Sequence, residues 1–400
     1  MKLHSLTLAA ALLLTQGTTA HAQDSVRAEV ARPMQTAQEL MKANRFREAL
    51  ARVREADAVA NLSPYERLLL DRMRGSAAAG AGDDTTATRS FEAALATGRL
   101  LPVETLPLLE ALAASAYRAK DYAKAISWAD RYSREGGRSE AMRSLKTNAQ
   151  YQAGDYAGVV KDMEARVLAI ETAVPVVDEF TLRTLAAAYA KLGDDAGYAR
   201  TLDKLLSHHP KKDYWADRLS RLQNDATRSD RLTLDLYRLR WATDTLDDTE
   251  QIVEMAQLAL QSGLPVEARR VIDAAYNAGR LGLGADAERH KRLRELARRQ
   301  AAEDEAQLPA ADVVGRSADA LVSAGQILAG SGRLEKGLEL MESGVAKGGL
   351  RRPDEARLHL GQAYLAAGNR ARAVETFKTV KGGDGAAELA RLWAIYAERR

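Results

Sequence analysis

Apolar residues recur at three- and four-residue intervals along almost the whole chain, in helix-length runs separated by short polar or glycine-containing breaks. That spacing places side chains on one face of a 3.6-residue helix. β-Branched stretches with a period of two are missing, and Ala, Leu, Arg and Glu dominate. The pattern therefore predicts an all-α chain.

The breaks themselves are periodic. Asn44, Gly82, Lys120, Gly154, Gly193, Gly263, Gly332 and Gly368 mark turns between helices, with successive gaps of 38, 38, 34, 39, 70, 69 and 36 residues. The two large gaps are about twice a unit. Seven residues before each turn stand Ala37, Gly75, Ala113, Thr147, Ala186, Ala256, Gly325 and Gly361, all small. Five residues after it stand Ala49, Ala87, Ala125, Val159, Tyr198, Ala268, Gly337 and Ala373, and nine after it Val53, Phe91, Ala129, Met163, Leu202, Ile272, Met341 and Phe377. Two helices of a hairpin approach closely where a small side chain on one admits a large one from the other. The stretch LGQAYLAAGNRARAVETF, residues 360–377, shows this best: Gly361 and Ala373 form the predicted crossing, with Phe377 and Tyr364 filling the space beside it.

In period and in this small–large register the chain resembles the tetratricopeptide-repeat (TPR) family. The resemblance covers most of residues 31–383, with residues 194–262 and 264–331 degenerate. It implies a right-handed superhelical solenoid of TPR-like helical hairpins, with GAAELARLWAIYAERR supplying a C-terminal capping helix that buries Leu389, Leu392, Trp393 and Tyr396. The expected organisation is a linker over 23–30, an N-terminal solenoid over 31–300, a joint at 301–316, and a C-terminal hairpin pair plus cap over 317–400.

The first 22 residues carry Lys2, an apolar run from Leu6 to Leu14 and the ending Ala20-His21-Ala22, the pattern of a signal peptide cleaved near Ala22. The run is shorter than the ~20 residues of a spanning helix. The chain has no cysteine, so no disulfide, lipidated cysteine or thiolate metal site is expected. These features predict a periplasmic protein, with any membrane contact peripheral. The 58 Lys and Arg nearly balance the 55 Asp and Glu, which argues against nucleic acid as a partner.

Catalytic and phosphate-binding signatures such as HExxH, GxSxG, Walker A and GxGxxG are missing, so neither an enzyme nor a cofactor is expected. His208 and His209, adjacent before Pro210, make a poor metal pair. Residues 289–299, RHKRLRELARR, hold six basic side chains on one helix, either a docking face for an acidic partner or a solvated surface offset by Glu288 and the acidic residues 303–305.

Six residues before each turn stand Gln38, Ser76, Ala114, Asn148, Ala187, Gln257, Gln326 and Gln362. Amides both donate and accept, so a row of them can pair with the backbone of an extended segment whatever its sequence. The resemblance implies that this helix face lines the concave groove. Gln38, Ser76, Asn148, Gln257, Gln326 and Gln362, with Tyr117, Tyr151 and Arg183 beside them, are the candidate peptide- or protein-binding residues. Asn148 and Arg183 alone do not complete the family's carboxylate-gripping set. The expected function is a non-enzymatic adaptor for an extended protein partner. The C-terminal portion also resembles exported repeat proteins that accompany TonB-type energy-transducing systems. The alternatives are a self-associating scaffold and, further off, a cell-wall enzyme with a superhelical body.

Overall fold

The computed structural model describes residues 25–173, 176–306 and 317–399. The leader, residues 1–22, and residues 307–316 of the expected joint lie outside them. Every regular element among the described residues is helical, and the chain divides into two compact units, residues 1–165 and 166–400.

In the first unit the helices are α1 (Ala28–Lys42), α2 (Phe46–Asp57), α3 (Pro64–Ala81), α4 (Asp84–Ala96), α5 (Pro102–Arg118), α6 (Tyr122–Arg134), α7 (Glu140–Ala153) and α8 (Tyr156–Ala173), the last crossing the unit boundary. Helices α1 and α2, α3 and α4, and α5 and α6 pack as hairpins, and α2 on α3 and α6 on α7 join one hairpin to the next. Residues 28–30 of the expected linker are the first turn of α1. Just before it, Arg27 is fixed rather than loose: its guanidinium and its backbone N–H donate to Glu66 at 2.9–3.0 Å. Glu66 also closes a capping box with Ser63 at the start of α3.

The turn ruler holds throughout. All eight turn residues have positive φ, including Asn44 (58°) and Lys120 (60°), where a side chain is carried in the left-handed region. In five of the turns the next residue, Asp83, Asp121, Asp155, Asp194 or Asn369, accepts from a backbone N–H of the following helix and starts it.

The crossing register holds with two corrections. All eight residues at the ninth position are buried, seven of them larger than the Ala129 of the third hairpin, and an added β-carbon would fall 2.4 Å from the Phe91 ring at Gly75 and 2.4 Å from the Phe377 ring at Gly361. Thr147 is only half-buried, its hydroxyl donating to the Arg143 carbonyl. Tyr198 is displaced from the crossing by Gly197, whose Cα lies against the Tyr189 ring. Tyrosine is too large for that point, and the helix turns by one residue to offer glycine instead.

In the second unit the helices are α9 (Glu179–Leu192), α10 (Asp195–His208), α11 (Lys212–Gln223), α12 (Thr233–Ala242), α13 (Thr249–Gln261), α14 (Pro265–Asn277), α15 (Ala287–Ala306), α16 (Ala318–Gly330), α17 (Leu334–Lys347), α18 (Pro353–Ala366), α19 (Arg370–Lys378) and α20 (Ala386–Arg399). The doubled gaps in the ruler have two causes. Helices α11 and α12 are joined by a longer segment that includes a 3-10 turn, Asp230–Leu232, and α15 stands as one long helix after the α13–α14 hairpin.

Helix α20 covers the last hairpin, as expected of a cap, and is itself covered. It packs on α19 and α18 on one side and on α10 and α12 on the other. One apolar cluster accordingly joins Leu219, Leu222, Leu236 and Leu239 to Tyr364, Phe377, Leu389 and Trp393. Inside this junction Arg218, 1% exposed, donates to Asp203 at 2.8 Å and to Glu388, while Arg391 pairs with Asp203 at 2.8 Å. Burial works against the Arg218 charge, and the two carboxylates outweigh it, raising its pKa. The last hairpin and its cap thus fold back on α10–α12 instead of ending in solvent.

Candidate functional site

Folding back creates a cavity of about 530 Å³ within the second unit. One wall comes from α12–α14 through Arg238, Trp241, Met255 and Glu267. The other comes from α16 and α18 through Gln326, Ile327, His359 and Gln362, with Trp393 and Tyr396 of α20 and Asp304 of α15 completing the lining. A smaller space of about 230 Å³ adjoins it, sharing Gln326 and His359 and reaching Asp319, Arg351 and Arg352.

One wall is held by a buried charge network. Arg238 donates from Nε and a terminal nitrogen to Glu267 at 2.8 and 2.6 Å, and from its other terminal nitrogen to Asp235 at 2.7 Å. Asp235 also accepts from Gln362 at 3.1 Å and pairs with His359 Nε2 at 3.1 Å. Burial alone would raise the Asp235 carboxyl pKa, but His359 and Arg238 outweigh it and hold it far below the usual range. Arg238 likewise holds Glu267 down against its burial. Both carboxylates are therefore ionised at neutral pH and share one guanidinium.

Of the predicted site residues, Gln326 and Gln362 line this cavity together, and the others do not. Gln362 is not free for a ligand, because its amide is spent on Asp235. Gln257 and Arg183 are exposed in the second unit outside the cavity. In the first unit Asn148 is exposed, and Gln38 and Ser76 are half-buried. Tyr117 and Tyr151 each stack edge-on across their own turn, on Tyr122 at 5.6 Å and Tyr156 at 5.2 Å, so they brace hairpin tips. Among the described residues, Asn148, Arg183, Gln257 and Gln326 keep their polar ends unengaged by hydrogen bonds.

The basic helix is largely occupied within the chain. Arg289 pairs with Glu250, Arg294 and Arg298 with Asp273, and Arg299 with Glu303, leaving Lys291 and Arg292. The His209 ring lies 2.7 Å from the Val177 carbonyl, tying the end of α10 to the segment before α9. Among the described residues no group of three or more His, Asp or Glu is arranged to hold a metal, and no helix is long and apolar enough to cross a membrane.

Asp235, Arg238, Glu267 and His359 escape the repeat register, but they leave one trace. In DRLTLDLYRLRW, Leu236 and Leu239 lie on one side of α12 and Leu234 on the opposite side, so Asp235 and Arg238 among them must be buried and paired.

No family model matches the sequence, and no curated protein matches it. Solved structures similar to this chain include a TPR2AB-domain complex with pHSP90 from yeast Sti1, at 14% identity and TM-score 0.24, covering 73% of this chain and 98% of that one. Yeast Tom70 follows at 11% and 0.23, covering 92% and 96%, and the TPR domain of P58(IPK) at 12% and 0.22, covering 93% and 99%. At such scores the chains do not superpose as wholes. The assignment to TPR-like hairpins rests on the turns and small–large crossings described above.

Proposed function

We propose that this protein is a non-enzymatic adaptor that holds an extended segment of a protein partner, and that the second unit's cavity is where it does so. The observation carrying this reading is the cavity itself: it lies between α12–α14 on one side and α16 and α18 on the other, and Gln326 presents an unengaged amide there. Such an amide can bond backbone without reading side chains. The signal-like leader supports a periplasmic location, and the C-terminal likeness to exported TonB-associated repeat proteins supports a place in an envelope transport or assembly complex.

Crosslinking in the envelope of cells carrying tagged protein tests this, beside a Gln326→Glu variant. Gln362 is left intact because it supports Asp235. A partner held by the native protein and lost by the folded variant is the expected result. Equal capture by both would move the interface elsewhere, and self-crosslinks alone would favour a self-associating scaffold.

A further inference from the structure

Gln326 and His359 each line both the larger and the smaller space, so they stand where the two meet. A binding role for His359 rests on the cavity being the binding surface, as proposed above.

The tautomer of His359 follows from its neighbour. Asp235 is ionised, and a carboxylate only accepts, so the ring nitrogen 3.1 Å from it, Nε2, must carry the proton. In the neutral ring Nδ1 is then a bare acceptor. It has no hydrogen bond among the described residues and is not one of their buried unpartnered atoms, unlike Trp393 Nε1 and Glu355 Oε2. The side chain keeps 14% of its surface exposed, so Nδ1 is the polar atom left for a ligand while Nε2 is spent on Asp235. Asp235 is fixed in turn by Arg238 and Gln362, which holds the ring in place.

We infer that His359 is a binding residue of the groove: its Nδ1 accepts a backbone N–H of the bound segment, and Gln326 donates to a backbone carbonyl of the same segment. An amide that donates and an imidazole that accepts together match the two polar groups of a peptide backbone.

Protonation reverses the contact. The second proton goes on Nδ1, which then meets the segment's N–H as another donor, while the charged ring holds Asp235 more firmly. Acid therefore weakens binding and strengthens the tie between α12 and α18, whereas a purely structural His359 would do only the second. The charged or titratable groups that share the two spaces are Arg238, Glu267 and Arg270 of α12 and α14, Asp304 of α15, Asp319 of α16 and Tyr396 of α20. Arg351 and Arg352 before α18 and Glu355 on it complete the set. None is an imidazole, the side chain that ordinarily titrates between pH 5 and 8.

The probe is acetyl-tetraalanine amide, which has a peptide backbone and no ionisable group. It is titrated calorimetrically into the full chain above and below the protonation of His359, which is followed by the imidazole 15N signals of histidine-labelled protein. His359→Gln is the variant: its amide nitrogen can take the place of Nε2 and donate to Asp235, and it takes up no proton.

The native chain should bind the probe when the ring is neutral and at least about tenfold more weakly when it is protonated. His359→Gln should melt as the native chain does, bind at least about tenfold more weakly than the neutral native form, and respond to pH not at all. Native binding that ignores the ring's protonation would overturn the inference, as would no binding of the probe or equally tight binding by His359→Gln. If that variant does not fold, the native profile decides alone. Gln326→Glu in the same titration separates the two readings. Binding lost there but kept in His359→Gln leaves the groove standing and removes only His359 from it, whereas binding unchanged in both variants sinks the groove as well.

Discussion

The two units are built from the same hairpin and are held together differently. In the first, side-chain ties reach about one repeat: Arg27 to Glu66 spans 39 positions, Arg118 to Asp84 34 and Arg72 to Glu104 32. In the second, Arg218 reaches Glu388 across 170 positions, Arg231 reaches Asp384 across 153, and Asp235 meets His359 across 124. Nearest-neighbour contacts give an open stack whose stability is a sum over repeats. Long-range ties, Arg218–Glu388 and Asp235–His359 largely buried and Arg231–Asp384 at the surface, bind early helices of the second unit to its last ones, and the unit should stand or fall as one piece around a cavity that the repeat alone would leave as an open face.

The largest test of this contrast is Arg218→Met. It removes the buried one of the two guanidiniums that face Asp203 and Glu388, with Arg391 still 2.8 Å from Asp203, and we expect the second unit to lose about 1–3 kcal/mol. Hydrogen exchange should show α10–α12 and α18–α20 opening together while α1–α6 keep their protection. Opening confined to α11 would show the junction to be less cooperative than drawn here.

Overpacking the crossings comes next. Gly361→Leu and Gly75→Leu drive a side chain into Phe377 and Phe91, respectively, and each should cost about 1–3 kcal/mol. The first should lower protection across the second unit, and the second only around α3 and α4. Unchanged melting in both would refute the crossing geometry.

Acid separates the units in a different way. Arg27 holds the Glu66 carboxyl down to about 2, with the Ser63 and Arg27 backbone N–H groups assisting against its burial. A carboxylate with a lowered folded pKa stabilises above its unfolded value of ~4.3, and that contribution drains away as pH falls toward 2. Glu66→Gln should flatten the acid dependence of the first unit in this window. The second unit, where Asp235 and Glu267 are also held down, should keep its own.

The smallest effect lies at a turn. Lys120 holds φ at 60°, and Lys120→Gly should stabilise the α5–α6 hairpin by up to about 1 kcal/mol. A thermal melt of the first unit would register it.

Turns and crossings were legible because each depends on residues close in sequence: a left-handed residue, a cap beside it, and a small–large pair sixteen positions apart, such as Gly361 and Phe377. The candidate site was legible only in part. Gln326 and Gln362 came from the register, yet nothing local told that Asp235, 127 positions away, would claim Gln362. Tyr117 and Tyr151 shared the groove side of the pattern and were taken by Tyr122 and Tyr156 across their turns. Arg218, Asp203 and Glu388 are ordinary surface residues by composition, and only the return of α20 to α10 buries them. The repeat pattern describes neighbours, and the junction is made by strangers.

That return also orders events during synthesis. Chain emerges from the ribosome at about 5–20 residues per second, so Arg218 waits on the order of ten to thirty seconds for Glu388. Through that interval Leu219, Leu222, Leu236 and Leu239 have no mate from α20. The first unit can assemble as it appears, hairpin on hairpin. The second must be shielded, or travel unfinished, until its last helix arrives.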